Sequence, residues 1–495
     1  MLIDELMAES GVQFGTSGAR GLVAKMTDRV CYAYTLGFLG FLNRSGTVSA
    51  GGTVALAGDL RPSTGRIMAA CARATVDLGY KPENLGRIPS PALAAYGISR
   101  EVPSMMVTGS HIPDDRNGIK FNLPSGEILK RDEAAIRAEA VAIPDGLFDA
   151  DGAFLAGIPS ALPKARTEAF DAYVARFLDF FAPDCLQGLR IGVYEHSSVA
   201  RDAYASVLAG LGARVDALGS SETFIPVDTE AIRPEDVRLA RDWAAGGGYD
   251  ALVSADGDGD RPLVSDERGE WLRGDIAGIL CARHLGAAGV VTPVSSNTAL
   301  EKCGWFPEVK RTRIGSPFVI EGMQALVERG VAPVVGYEAN GGFLLATDIE
   351  KQGRRLPALP TRDAVLVAVA ILASARERGK PVSALTADLP RRFTASDRIK
   401  DFPTELSRAR LAAMSSGDFG RDMAAVEEAF GGQFGEVSRI DATDGVRITF
   451  DNGEIAHLRP SGNAPELRAY TEADTPERAQ EMNRICLQIL AGWRS

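Results

Sequence analysis

Three aspartates, Asp256, Asp258 and Asp260, stand at alternating positions with only glycine between them, and Arg261 follows. Carboxylates this close repel one another unless a cation lies among them. Gly257 and Gly259 let the backbone curl until all three face one ion. Donors that are all oxygen favour a hard cation, Mg²⁺ or Ca²⁺. A calcium loop of the EF-hand type also begins Asp-x-Asp-x-Asp, and Glu267 falls at its twelfth position. Its sixth position needs glycine but holds Arg261. The preceding YDALVSA reads as a strand where an EF-hand needs a helix. The calcium-loop reading is therefore rejected, and a solvated acidic turn is the plain alternative to a metal loop.

Four other segments carry groups that could do chemistry. Thr108-Gly-Ser110-His111 follows the apolar run MMV, so Ser110 stands at a strand end where a flexible glycine could present it as a nucleophile. An ordinary turn or cap serine is the alternative. Lys120 leaves the same loop on the next strand. FGTSGARG, ending in Arg20 and Gly21, is glycine-rich with one cation, but its spacing fits neither a P-loop nor a dinucleotide loop. Gly336-Tyr-Glu338-Ala-Asn340-Gly-Gly342 offers a carboxylate and an amide to sugar hydroxyls. Arg459-Pro-Ser461-Gly462-Asn463 offers a guanidinium, a hydroxyl, an amide and turn N–H groups, a mix suited to phosphate; a ligand-free hairpin-end turn is the alternative.

The elements that must position these loops recur. An apolar strand, a polar loop and an alanine- and leucine-rich helix appear in TVALAGDLRPSTGRIMAACARATVDLGY, in LRIGVYEHSSVARDAYASVLAGLGARV and, less cleanly, in GVVTPVSSNTALEKCGWFP. A second apolar run follows each copy and ends in an unusual loop: PSMMVTGSHIP, YDALVSADGDGDR and VAPVVGYEANGG. Such alternation predicts three related α/β domains with mixed, largely parallel sheets, whose ligands lie beyond the carboxyl ends of strands. VRITF-DNG-EIAHLRPS predicts a hairpin about an Asn-Gly turn. With the strand ELRAYTEA and a closing amphipathic helix it makes a smaller C-terminal α+β domain. Boundaries fall near 158, 272 and 388, giving residues 1–158, 159–272, 273–388 and 389–495, with linkers at Ile158–Lys164 and Leu389–Arg392.

Composition narrows the function. The chain has 495 residues, too many for one core, with 45% apolar and 24% charged residues, as in an ordinary soluble globular protein. A net charge of -11 argues against nucleic-acid or anionic-membrane binding. The N-terminus MLIDELMAES lacks a signal pattern, and the apolar runs Cys31–Leu42 and Ala364–Ala375 are too short for the roughly 20 residues that span a bilayer, so each predicts a buried helix. Six scattered cysteines suit a reducing cytoplasm, and four scattered histidines argue against a His-rich metal site.

In combination the motifs resemble the α-D-phosphohexomutase superfamily, over essentially the whole chain. FGTSGARG looks like its N-terminal loop, TGSHIP its phosphoserine loop, DGDGDR its metal loop, GYEANGG its sugar loop and RPSGNAPELR its phosphate loop. The resemblance implies four domains around a central cleft and a phosphate carried by Ser110. It implies Mg²⁺ held by Asp256, Asp258, Asp260 and a phosphoserine oxygen. Arg20, Lys120, His111 and Arg261 would surround the reacting phosphoryl group. Glu338 and Asn340 would bind sugar hydroxyls. Arg459, Ser461, Gly462 and Asn463, with Arg468, would hold the non-reacting phosphate, and Thr312 and Gly315 of RTRIGS would face the substrate. The implied reaction interconverts hexose 1-phosphate and hexose 6-phosphate, with a hexose 1,6-bisphosphate as intermediate and activator, in a monomer or homodimer. The pair GYEANGG and FGTSGARG is most similar to the phosphomannomutase branch, with phosphoglucomutase and phosphoglucosamine mutase as alternatives. A catalytically silent sugar-phosphate-binding paralogue and a metal-dependent phosphatase are rivals. Departures from the common motifs are Ser17, Ile112, Asn340, Gly342 and Asn463; none removes the nucleophile or a carboxylate.

Overall fold

The computed structural model describes every residue except 16, 50, 431, 462–464 and 495. Three of its sheets share one topology. In the first, Thr53–Gly58 lies between Lys81–Arg87 and Ser104–Val107, all parallel, and Arg116–Leu123 returns antiparallel beside Ser104–Val107. The second repeats this order with Arg190–His196 between Arg214–Ser220 and Ala251–Ala255, closed by Pro262–Val264. The third places Gly289–Pro293 between Glu308–Thr312 and Val334–Tyr337, closed by Phe343–Leu345. In each sheet the unusual loop is the turn between the third parallel strand and its antiparallel return. The first sheet is extended at its return-strand edge by Gly18–Leu22, which pairs antiparallel with Arg116–Leu123 and sets Gly18 opposite Lys120. Gly18 has no room for a side chain: a Cβ there would stand 2.1 Å from the Ile119 carbonyl oxygen.

Both apolar runs form buried helices. Asp28–Arg44 starts at Thr27, whose hydroxyl accepts the Val30 N–H, and it buries most of its length in the N-terminal core. Ala364–Glu377 is buried on every side through Ala375, as an apolar helix without a polar face must be. It starts at Asp363, whose side chain accepts the Leu366 N–H, and packs on the helix Gly274–His284 in a core shared by all three α/β units. No described helix is long and apolar enough to cross a membrane.

The C-terminal part is a five-stranded antiparallel sheet in the order Phe393–Ile399, Leu467–Ala473, Ile455–Pro460, Val446–Phe450, Val437–Asp441, covered by Pro476–Gly492 and two shorter helices. The hairpin Val446–Phe450 to Ile455–Pro460 and the strand Leu467–Ala473 lie where the sequence placed them. The two outermost strands, Phe393–Ile399 and Val437–Asp441, are additions to that reading. The predicted linker Leu389–Arg392 ends in an anchor: Arg392 is 5% exposed and donates to Glu472, Asp474 and the Gly453 carbonyl.

Candidate active site

The three loops converge because the strands that carry them end on one cleft of about 640 Å³, which the C-terminal domain completes. Ser110 stands on its wall with φ at 57°, in the left-handed region that a non-glycine residue adopts only when its surroundings enforce it. The enforcing group is Arg61, whose side chain is fully buried. Its Nη2 donates to the carbonyls of Ser110 at 2.9 Å and Ile112 at 2.5 Å, and its Nη1 to those of Pro113 and Arg116. Asp59 pairs with Arg61 Nε at 3.0 Å, and the guanidinium lies 4.0 Å from the centroid of Phe224. Gly109 must be glycine here, since a Cβ would stand 2.6 Å from Arg61 Cζ. Thr108 accepts the Ser110 N–H and donates in turn to Asp59. Arg61 thus fixes the serine loop through backbone carbonyls and leaves the Ser110 hydroxyl directed at the acidic loop.

That hydroxyl donates to Asp256 Oδ2 at 2.5 Å. Asp256, Asp258 and Asp260 are all buried, and one carboxylate oxygen from each lies within 4.8 Å of the others. Lys120 Nζ donates to Asp258 at 2.6 Å and to Asp260 at 2.7 Å, and the Ser90 hydroxyl donates to Asp258 at 2.7 Å. Asp258 Oδ1 and Asp260 Oδ1 are buried with no hydrogen-bond partner among the described residues. Burial and the two neighbouring aspartates push Asp256 well above the ordinary carboxylate range. Burial raises Asp258 too, but Lys120 and Ser90 outweigh it and hold this group below that range. Buried carboxylate oxygens without donors and a strained like-charge cluster suit a hard cation bound by oxygens.

The cations around Ser110 come from separate elements. Arg261 Nη1 donates to His111 Nδ1 at 2.9 Å, which leaves the ring hydrogen on Nε2. Burial, with Arg261 beside it, lowers the His111 pKa to about 3. This ring is neutral at physiological pH. Burial and the same Arg261 bring Arg20 down to about 10, so Arg20 stays charged. Arg20, His111, Lys120 and Arg261 all line the cleft, as do Gly315, Glu338, Asn340, Arg459, Ser461 and Arg468.

Asn340 is fixed by accepting the Gly342 N–H at 2.9 Å, while its own carbonyl accepts from Thr229 at 2.7 Å. Arg459 Nε donates to Asp444 at 2.8 Å, and the other Asp444 oxygen accepts the Ile314 N–H, so the turn before Gly315 is tied to the C-terminal sheet. Thr312 stands behind this turn, its hydroxyl donating to the Arg313 carbonyl. Gly462 and Asn463 lie outside the described residues.

The sequence reading missed Arg61, Ser90, Glu127 and Arg362. Glu127 is buried and accepts hydroxyls from Ser17, Ser316 and Thr361, which come from the N-terminal loop, the helix after Gly315 and the segment before Arg362. Ser17, a departure from the common motif, thereby helps hold within its own domain the carboxylate that Ser316 and Thr361 reach from the third α/β unit.

Away from the cleft, His196, His284 and His457 are each lowered by burial to about 4. Unfolded histidine titrates near 6.5, so between about pH 4 and 6.5 the unfolded chain binds more protons than the folded one. Their contribution to stability is present above this window and lost as pH falls through it. Melting temperature should therefore drop from pH 7 to pH 5, with proton uptake on unfolding approaching three per molecule from these side chains. A melting temperature flat across this range would contradict their burial as neutral rings.

Family models described as phosphoglucomutase/phosphomannomutase alpha/beta/alpha domain I, alpha/beta/alpha domain III and C-terminal domain match residues 11–144, 273–393 and 408–486. The chain is 44% identical to a phosphomannomutase of Salmonella muenchen over 96% of its own length and 95% of that protein. It is likewise 44% identical to a phosphomannomutase of Sinorhizobium fredii, over 97% and 99% of the two chains. A phosphoglucosamine mutase of Sorangium cellulosum is 28% identical, over 96% and 92%. The fold of this chain is shared with a phosphoglucomutase/phosphomannomutase family protein of Burkholderia thailandensis, with a TM-score of 0.71, 17% identity and 97% of each chain covered.

Proposed function

The chain belongs to the phosphoglucomutase/phosphomannomutase family, and from that premise we propose that it interconverts mannose 1-phosphate and mannose 6-phosphate through a phosphoserine at Ser110. The observation that carries this reading is the Ser110 hydroxyl, held 2.5 Å from the buried aspartate triad at the wall of a cleft ringed by cations. Mannose is favoured by the 44% identity to two phosphomannomutases, against 28% to a phosphoglucosamine mutase.

The transfer breaks the bond from phosphorus to Ser110 Oγ and forms one to a sugar hydroxyl, and the proton that this hydroxyl loses ends on Ser110 Oγ, which leaves as the free serine hydroxyl. This gives a hexose 1,6-bisphosphate. The sugar then reverses within the cleft, and its other phosphate returns to Ser110. Protein residues serve this chemistry by positioning and by neutralising charge. Mg²⁺ bound by Asp256, Asp258, Asp260 and a phosphoserine oxygen would offset charge on the phosphoryl oxygens. Lys120 and Arg20 supply fixed positive charge on the same side. His111, neutral and oriented by Arg261, can donate from Nε2. Glu338 and Asn340 take the sugar hydroxyls. Arg459 and Arg468 grip the phosphate that is not reacting, and because either end of the sugar presents a phosphate, one such site serves both half-reactions. A hexose 1,6-bisphosphate would prime the serine.

The reading is tested by kcat/KM for mannose, glucose and glucosamine 1-phosphates, each with a trace of its bisphosphate. The expected result is the highest value for mannose. A higher value for glucosamine 1-phosphate would reassign the sugar.

A further inference from the structure

Arg362 lies just before the buried helix Ala364–Glu377 and lines the cleft, with its side chain 4% exposed. Its Nη2 stands 3.0 Å from Asp260 and its Nη1 3.5 Å from Glu338, so one guanidinium spans the acidic loop and the sugar loop. Its Nε is buried without a hydrogen-bond partner among the described residues. The residues on either side are pinned: Thr361 donates to Glu127, and Asp363 accepts from Tyr173 and caps the helix. Burial works against its charge, but Asp260 and Glu127 outweigh that, so Arg362 remains a cation. An Arg whose backbone is fixed on both sides and whose fork is not fully used is preorganised to donate to an anion.

Room for it depends on Gly342. A Cβ there would stand 2.5 Å from Arg362 Cδ and 2.7 Å from its Cγ. Any side chain at 342 therefore collides with the middle of the arginine stem, which is enclosed and cannot swing into solvent.

We propose that Arg362 is a substrate-contacting residue that donates to a phosphoryl oxygen of the sugar phosphate between the aspartate triad and Glu338, and that Gly342 is the residue that seats it. The proposal rests on the phosphohexomutase reading for the identity of the ligand. A purely structural role would be to neutralise Asp260 and Glu338, and Arg362→Lys preserves that charge while removing the planar fork. Gly342→Ala displaces the stem without altering any charge.

Both changes are made in a Ser110→Ala background, where no phosphoryl group can be transferred. Calorimetry then reads the Kd of mannose 1,6-bisphosphate and of mannose 1-phosphate, and a melting curve is taken for each variant. The expected result is bisphosphate binding weakened roughly 10- to 100-fold in both variants, with monophosphate binding affected less and melting temperatures held. Unchanged bisphosphate affinity in Arg362→Lys would overturn the contact. Unchanged affinity in Gly342→Ala would overturn the seating. If Arg362→Lys does not fold, Gly342→Ala still decides, because a displaced arginine must bind the bisphosphate less well. Turnover of the wild type is measured alongside. Its absence would refute the mutase reading, while the binding data would still decide whether Arg362 meets the anion.

Discussion

Ser110→Ala should lower kcat by roughly 10⁴-fold or more, the scale on which removal of a covalent nucleophile acts. The substitution removes one atom, and little else depends on it. The Ser110 N–H is bound by Thr108 and its carbonyl by Arg61, so the loop keeps its course. The left-handed backbone at residue 110 is no easier for alanine than for serine, and the same Arg61 contacts enforce it. What is lost is the oxygen directed at Asp256. Mass analysis after incubation with a hexose 1,6-bisphosphate should show one added phosphate on the wild type and none on the variant. Retained turnover, or a phosphate on another residue of the variant, would contradict the assignment.

Asp258→Asn should be the next most damaging change, lowering kcat by roughly 10²- to 10³-fold at a fixed metal concentration. Lys120 and Ser90 hold the Asp258 carboxylate below the ordinary range, and its Oδ1 has no hydrogen-bond partner among the described residues. Asparagine keeps the shape and the bond from Ser90 but removes a negative charge and leaves an N–H₂ or a weaker oxygen facing the ion. Lys120 retains Asp260, so the fold should persist. Activity of the wild type should vanish in chelator and return with Mg²⁺, and the variant should need more Mg²⁺ for half-maximal rate. Full activity of the wild type in chelator would exclude a metal role for the triad.

The loops that carry these groups were legible because each is an abrupt break: an apolar run of strand type stops at a polar residue, Thr108, Asp256 or Glu338, with glycine close behind. The shared topology of the three α/β sheets follows from the same signal, since each copy presents its strands in the same order. The outer strands of the C-terminal sheet were not legible. Phe393–Ile399 and Val437–Asp441 are polar and partly exposed, with little of the alternation that marks a half-buried strand. The positioning residues were hidden for a different reason. Arg61 sits 49 residues from the Ser110 carbonyl it holds, and Thr361 sits 234 residues from Glu127. Nothing local separates Arg61 in GDLRPS or Arg362 in PTRDAV from a surface arginine before a helix. Only the meeting of distant strand ends turns them into buried cations. Thr312 shows the converse, a polar residue in a suggestive motif whose hydroxyl the fold turns to its own neighbour, Arg313.

In the proposed reaction one phosphoryl group passes from Ser110 to the sugar while the sugar's own phosphate takes its place. Enzyme carrying labelled phosphate on Ser110 is mixed with unlabelled mannose 1-phosphate for a single turnover, and the label is located. The label should leave in mannose 6-phosphate, with unlabelled phosphate remaining on the enzyme. Label released as inorganic phosphate, or retained on the protein after product has formed, would contradict it.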